Sequence, residues 1–269
     1  MPESSSGSAA RWGPLFGARA NAWAETGEGS AGWGTRLYER VLDRARIGPG
    51  TRVLDCGCGA GRFARMAADR GASAAGLDAS EELIAIAADR VPEGDSRAGD
   101  MEALPWDDDS FDVVTGFSAF QFADDKVRAL TEAARVSLGT VSVVIPTRVP
   151  ESGIALVFAP VFPLFSDGAL ESMKQSGMFA LSKPGRLEQV LASAALVPFE
   201  DDEIECAIVF DDVDAAERAF MGAGPTQLAI NTSGEAPVAE AFRAALEPFT
   251  ASNGRVVLQA WYRAVLARS

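Results

Sequence analysis

Residues 51–63 read TRVLDCGCGAGRF. Val53 and Leu54 are apolar and β-favouring, Asp55 ends that run, and Gly57, Gly59 and Gly61 alternate with small residues. Arg62, Phe63 and Met66 then take up helical spacing. This order predicts a strand, a tight turn and a helix N-terminus. Glycine adopts positive φ without a Cβ penalty and lets a ligand approach the backbone. The helix N-terminus adds free N–H donors and a partial positive charge. A βα turn with no ligand would also use glycines, but here Asp55, three glycines and a later acidic residue fall together.

Outward from this turn, helices and strands alternate. Upstream, Leu37, Tyr38, Val41, Leu42 and Ala45 predict a helix over 35–46, stopped by Gly48-Pro49-Gly50. Downstream, the first helix runs to about Arg70, and a short strand over 73–77 leads to Asp78. Ser80 caps the next helix, with Glu81 and Glu82 in its first turn. A weak strand over 96–98 leads to Asp100 and Met101, and FDVVTGF (111–117) is a buried strand. A helix over 126–136 and a strand over 140–145 complete the alternation. Such a pattern predicts a parallel sheet with helices on both faces. Ligands in these sheets sit outside the carboxyl ends of the strands, where Asp55, Asp78, Asp100 and Phe117 all fall.

The flanks are less regular. Residues 1–10 read as a flexible tail, and 11–48 as an N-terminal cap segment in which Trp12, Phe16, Trp23 and Trp33 show no clean periodicity. Residues 49–145 form the core. Residues 146–183, apolar and interrupted by prolines, read as a partly helical insertion after strand five that shapes a substrate pocket. Residues 184–269 complete the sheet: a helix over 184–196, a strand over 203–210, helices over 212–221 and 235–249, and a last strand over 256–264. The expected fold class is α/β, a Rossmann-like seven-stranded, mostly parallel sheet.

Composition narrows the function. A net charge of -14 argues against a nucleic-acid surface or an anionic membrane. No apolar run is long enough to span a bilayer, and MPESSSGSAAR lacks a secretory core. A cytoplasmic protein, monomer or homodimer, is expected. Cys56, Cys58 and Cys206 suit a reducing compartment. Without a single histidine, the C-x-C pair reads as small residues beneath the loop, so no metal site is expected. The usual neutral-pH general base is missing as well.

Four motifs in order, VLDCGCGAG (53–61), GLDAS (76–80), GDMEALPWDDDSFDVV (99–114) and GFSAFQFADD (116–125), resemble class I S-adenosylmethionine-dependent methyltransferases. The likeness is closest to the small-molecule branch that includes ubiquinone and menaquinone biosynthesis methyltransferases. It covers about residues 50–145. The resemblance implies S-adenosyl-L-methionine as cofactor and S-adenosyl-L-homocysteine as product. It implies that Asp55 and the backbone at Gly57 and Gly59 hold the amino-acid part, with Gly61 keeping the turn tight. Asp78, followed by Ala79, would bind both ribose hydroxyls, Asp100 the adenine amino group, and Met101 the ring. Phe117 and Gln121 would lie beside the methyl group. A dinucleotide loop would carry its third glycine at position 62, which is Arg62. The glycine stands at 61 instead, and Asp55 would repel a pyrophosphate.

These readings lead to a methyltransferase acting on a small, apolar or aromatic metabolite, by O- or C-methylation. Trp23, Gln121, Phe158 and Phe162 are the expected substrate contacts. Gln121, Tyr38 and Glu25 are the catalytic candidates, and Glu28 is a further acid in the cap. The alternative is a cofactor-binding protein of the same fold that transfers no methyl group, either a cyclase-type enzyme or a regulatory scaffold.

Overall fold

The computed structural model describes residues 7–28 and 34–269, so what the sequence suggests for Trp33 and residues 1–6 lies outside the described residues. Helices α1 (Ser8–Gly17) and α2 (Ala20–Ala22), the latter running into a π turn at Trp23–Gly27, precede α3 (Thr35–Arg44). The core follows as β1 (Arg52–Cys56), α4 (Arg62–Asp69), β2 (Ser73–Asp78), α5 (Glu81–Arg90), β3 (Asp95–Ala98), β4 (Phe111–Phe117), α6 (Lys126–Arg135) and β5 (Ser137–Thr147). After β5 come α7 (Gly153–Phe158), a 3-10 turn at Ala159–Leu164, α8 (Asp167–Ser176) and α9 (Arg186–Ser193). The chain closes with β6 (Val197–Phe210), α10 (Val213–Gly222), α11 (Gly224–Ser233), α12 (Glu235–Leu246) and β7 (Val256–Arg268).

The sheet order is β3-β2-β1-β4-β5-β7-β6. Strands β1 to β5 pair in parallel, and β7 runs antiparallel between β5 and β6. Side chains alternate across a strand, so adjacent residues of β1 serve opposite faces. Leu54 joins Leu77, Val114, Leu130 and Leu191 under α6 and α9, and Val53 joins Val113, Phe63, Ala67 and Leu42 under α3 and α4. A third cluster packs Phe158, Phe220 and Phe242 from the later helices against Ile208 and Leu258 of β6 and β7.

Strand order reverses between β1 and β4. Their carboxyl ends part there and open a crevice at the switch point. Asp55 lies opposite Gly76 of β2 and Thr115 of β4, which sets its carboxylate in the floor of that crevice.

The structure departs from the sequence reading at the flanks. Helix α1 begins at Ser8, inside the stretch read as a tail. Strand β6 starts six positions before 203, at Val197, and β7 continues past 264 to Arg268. Helix α11 falls where no element was expected.

Candidate active site

The crevice is the floor of a cavity of about 1140 Å³, counting its mouth. Asp55, Gly57, Gly59, Asp78, Ala79, Met101 and Phe117 line one end of it. The N-terminal segment and the stretch after β5 close the other, through Trp12, Phe16 and Trp23 on one side and Ile154, Phe158, Met178 and Phe179 on the other.

Three carboxylates face this space. Asp55 Oδ1 accepts from the Thr115 hydroxyl at 2.8 Å, and Asp78 accepts from the backbone N–H groups of Gly59 and Ser80, each at 2.9 Å. The third, Glu28, arrives from the end of the π turn. Its Oε1 accepts from Ala60 N and Trp23 Nε1, both at 2.9 Å, and its Oε2 from Arg62 N at 3.2 Å and the Arg90 guanidinium at 3.0 Å. Burial raises the pKa of all three; for Asp55 the neighbouring Glu28 and Asp78 charges add to it.

Glu28 changes the reading of the glycine loop. Gly57 N and Cys58 N donate to Leu77 O, Gly59 N to Asp78, Gly61 N to Cys58 O, and Ala60 N and Arg62 N to Glu28. Every backbone donor from Gly57 to Arg62 is therefore satisfied by the protein. The loop's own donors are thus already occupied by the protein, and the carboxylates of Asp55, Asp78 and Glu28 face the space beside it. Gly59 is required here: its φ is +56°, and a Cβ would come within 2.0 Å of Glu28 Oε1.

Aromatic rings build the apolar roof. Trp12 and Phe16 of α1 meet Phe122 edge-on at 4.8 and 5.4 Å between centroids, and Phe16 meets Trp23 at 6.4 Å. Phe117, at the end of β4, is held between Tyr38 at 4.7 Å and Phe63 at 4.6 Å. The later wall is tied down by its own carbonyls. Gln121 Nε2 donates to Met178 O at 2.6 Å, and Lys126 Nζ to Gln175 O at 2.8 Å. Arg11 reaches over from α1 to Ser176 at 2.6 Å and to Asp124.

Residues 54–139 match the family described as Methyltransferase domain. A malonyl-[acyl-carrier protein] O-methyltransferase of Erwinia pyrifoliae is 30% identical over 195 residues, which span 71% of this chain and 68% of that protein. The chain belongs to the class I S-adenosylmethionine-dependent methyltransferases. A demethylmenaquinone methyltransferase of Renibacterium salmoninarum is 38% identical over 104 residues, 38% of this methyltransferase and only 44% of that relative. Among solved structures, YcgJ of Bacillus subtilis shares the fold at a TM-score of 0.57 with 20% identity, covering 87% of this chain and 99% of its own. The [4+2]-cyclase SpnF shares it at 0.55 with 20% identity, over 87% and 80%.

Several expected site residues of this methyltransferase stand elsewhere. Gly61, expected to keep the turn tight, has φ +80° and seats the loop against Ala87 of α5, outside the cavity lining. Asp100 caps α1 through Ala9 N at 3.4 Å and Ser8 Oγ at 3.3 Å, and accepts from Glu102 N. Phe162 packs beside Phe165 in the third core cluster. Glu25 is exposed, because the π turn swings it outward and Glu28 inward. Tyr38 does line the cavity, where burial and the nearby Glu28 and Asp55 charges push its hydroxyl's pKa up. Glu28's role in the loop and the presence of Met178, Phe179 and Tyr262 in the lining carried no motif, whereas Phe122 falls within GFSAFQFADD. Among the described residues no group of acids, cysteines or histidines could hold a metal, and no helix is long and apolar enough to cross a membrane.

Proposed function

We propose that the protein transfers the methyl group of S-adenosylmethionine to an oxygen or carbon of a small, apolar or aromatic metabolite. One observation carries the reading. A single cavity joins a carboxylate-lined end at the carboxyl ends of β1, β2 and β4 to an aromatic end under α1 and α7. The first end fits the charge of a sulfonium and an ammonium group. Asp78, with two oxygens at the end of β2, suits paired ribose hydroxyls. Asp55, anchored by Thr115, suits the ammonium.

When bound, the cofactor supplies a methyl group already activated by its sulfonium. The chain's part is alignment, which contributes through effective molarity rather than through strong acid–base chemistry. Phe117, clamped between Tyr38 and Phe63, gives that end a fixed wall. Asp55 and Asp78 would hold the cofactor so that its methyl group is offered to an acceptor beside Phe117, with the acceptor's proton released to solvent. The surroundings that hold the Tyr38 phenol protonated favour an acceptor more acidic than a simple phenol, such as an enol.

Mass spectrometry tests this against the non-transferring alternative. Incubation with S-adenosylmethionine and phenolic or enolic candidates should yield a product heavier by one methylene together with S-adenosylhomocysteine. A converted substrate without methyl gain would reject transfer. In isothermal titration, Asp78→Ala should bind S-adenosylhomocysteine far more weakly than the parent protein; equal affinity would reject the ribose assignment.

A further inference from the structure

Tyr262 belongs to β7, where it lies opposite Pro146 of β5 and Ile204 of β6. In the row before it, Phe117 of β4 pairs with Val144 of β5, and Val144 with Ala264 of β7. Residues two apart in a strand share a face of the sheet. Tyr262 therefore stands on the same face as that row, one step further toward the carboxyl end of β5, and it packs in the same core cluster.

The residue is 5% exposed and lines the cavity. Its neighbours in that wall, Pro146, Ile154, Phe158 and Ala223, are apolar. Among the described residues from β5 onward that line the cavity, Tyr262 alone carries a polar side chain. No described residue pairs with its hydroxyl, yet the oxygen is not sealed within the wall as the Gln121 amide oxygen is. A phenylalanine would pack this wall equally well, so the fold makes no use of the hydroxyl. Buried polar groups are nearly always paired, and here the partner must come from the cavity.

The chemistry of that partner follows from the surroundings. Burial and the nearby Cys206 thiol raise the pKa of Tyr262, so it keeps its proton and offers a donor. The lone pair of a phenol is drawn into the ring, which makes the group a better donor than acceptor. A carboxylate could accept from it, but no lysine or arginine stands among the described lining residues, and Asp55, Asp78 and Glu28 would oppose the charge. A carbonyl oxygen accepts without charge and brings no hydrogen that needs a partner of its own.

We propose that Tyr262 binds the methyl-accepting molecule by donating its hydroxyl to a carbonyl oxygen, so that the substrate is an apolar molecule carrying a ketone or ester carbonyl. This rests on the methyltransferase reading and adds to it a recognition residue on β7 and the functional group it reads.

The test uses the full chain saturated with S-adenosylhomocysteine and three probes of similar shape: 2-acetylnaphthalene, its oxygen-free counterpart 2-isopropenylnaphthalene, and 1-(2-naphthyl)ethanol. By titration calorimetry, the parent protein should bind the ketone more tightly than the alcohol. In Tyr262→Phe the ratio of ketone to hydrocarbon affinity should fall about tenfold, the scale of one well-made hydrogen bond, with hydrocarbon binding changed by no more than about twofold. The melting temperature of the variant should stay within about 2 °C of the parent's, because the hydroxyl holds nothing in the fold. An unchanged ratio, an alcohol preferred to the ketone, no ketone binding to the parent, or a variant that melts well below it would each overturn the proposal while leaving the cofactor assignment standing. Failure of S-adenosylhomocysteine to bind the parent protein would remove both.

Discussion

Glu28 shows how one side chain decides what a loop can bind. Its two oxygens accept from two backbone donors of the loop, an indole and a guanidinium. Replacing Glu28 with Gln keeps one acceptor but turns an N–H₂ toward Arg62 N and Arg90. Arg90 then loses its counter-charge in a site where its side chain is only 23% exposed. The variant should lose about 2 kcal/mol of stability, below the figure for a fully buried pair because Arg90 retains some water. Urea unfolding followed by circular dichroism measures this, and an unchanged midpoint would mean that the Glu28 contacts do not hold in solution. Asp55 and Asp78 were legible from the sequence because a strand end beside a glycine turn has a local pattern. Glu28 was not. It lies 32 positions from Ala60, and only the path of the intervening chain brings the two together.

At the level of elements, the least legible part is the roof. Helix α1 carries Gly13 and Pro14 in its interior, both of which speak against a helix. Tertiary contacts override them: Trp12 and Phe16 pack on Phe122, and Asp100 caps the first turn. The segment after β5 is similarly cut by Pro160 and Pro163 into short pieces, and α11 buries Thr226 and Gln227 where a sequence pattern would look for apolar residues. Gly13 offers a test of the roof. A Cβ there would stand 2.3 Å from Ala79 O, on the residue that follows Asp78. Helix propensity alone predicts that Gly13→Ala stabilises α1 by up to about 1 kcal/mol. The contact predicts the reverse, with α1 pushed off the cavity and S-adenosylhomocysteine bound roughly tenfold more weakly, since each ~1.4 kcal/mol is a factor of ten. Calorimetric titration of the variant separates the two. Unchanged or tighter binding would show that α1 does not cover the cofactor end.

Across the whole molecule, acids fall into two electrostatic classes. On the surface, arginine partners lower the pKa of Asp112, Glu132 and Asp201, and this stabilisation is present above their unfolded values and lost as pH falls through the folded ones. In the cavity, burial raises the pKa of Asp55, Asp78 and Glu28, so the folded state binds more protons than the unfolded one above the ordinary values of 3.8 and 4.5. For these three, stability is highest at the acid side of that window and falls as pH rises through it. The empty protein should therefore melt higher at about pH 5.5 than at pH 8, a range in which the surface class is still fully ionised. Affinity for the cationic cofactor should move in the opposite direction, because protonated carboxylates no longer attract it. Self-repulsion within a chain of net charge -14 also favours the acid side, so a second variant is needed to assign the effect. Asp55→Asn removes one titrating group from the cavity and alters the net charge by a single unit. It should flatten both the melting-temperature and the affinity profiles between these pH values, as read by scanning and titration calorimetry. Profiles parallel to the parent's would place the effect in overall charge rather than in the carboxylates beneath the glycine loop.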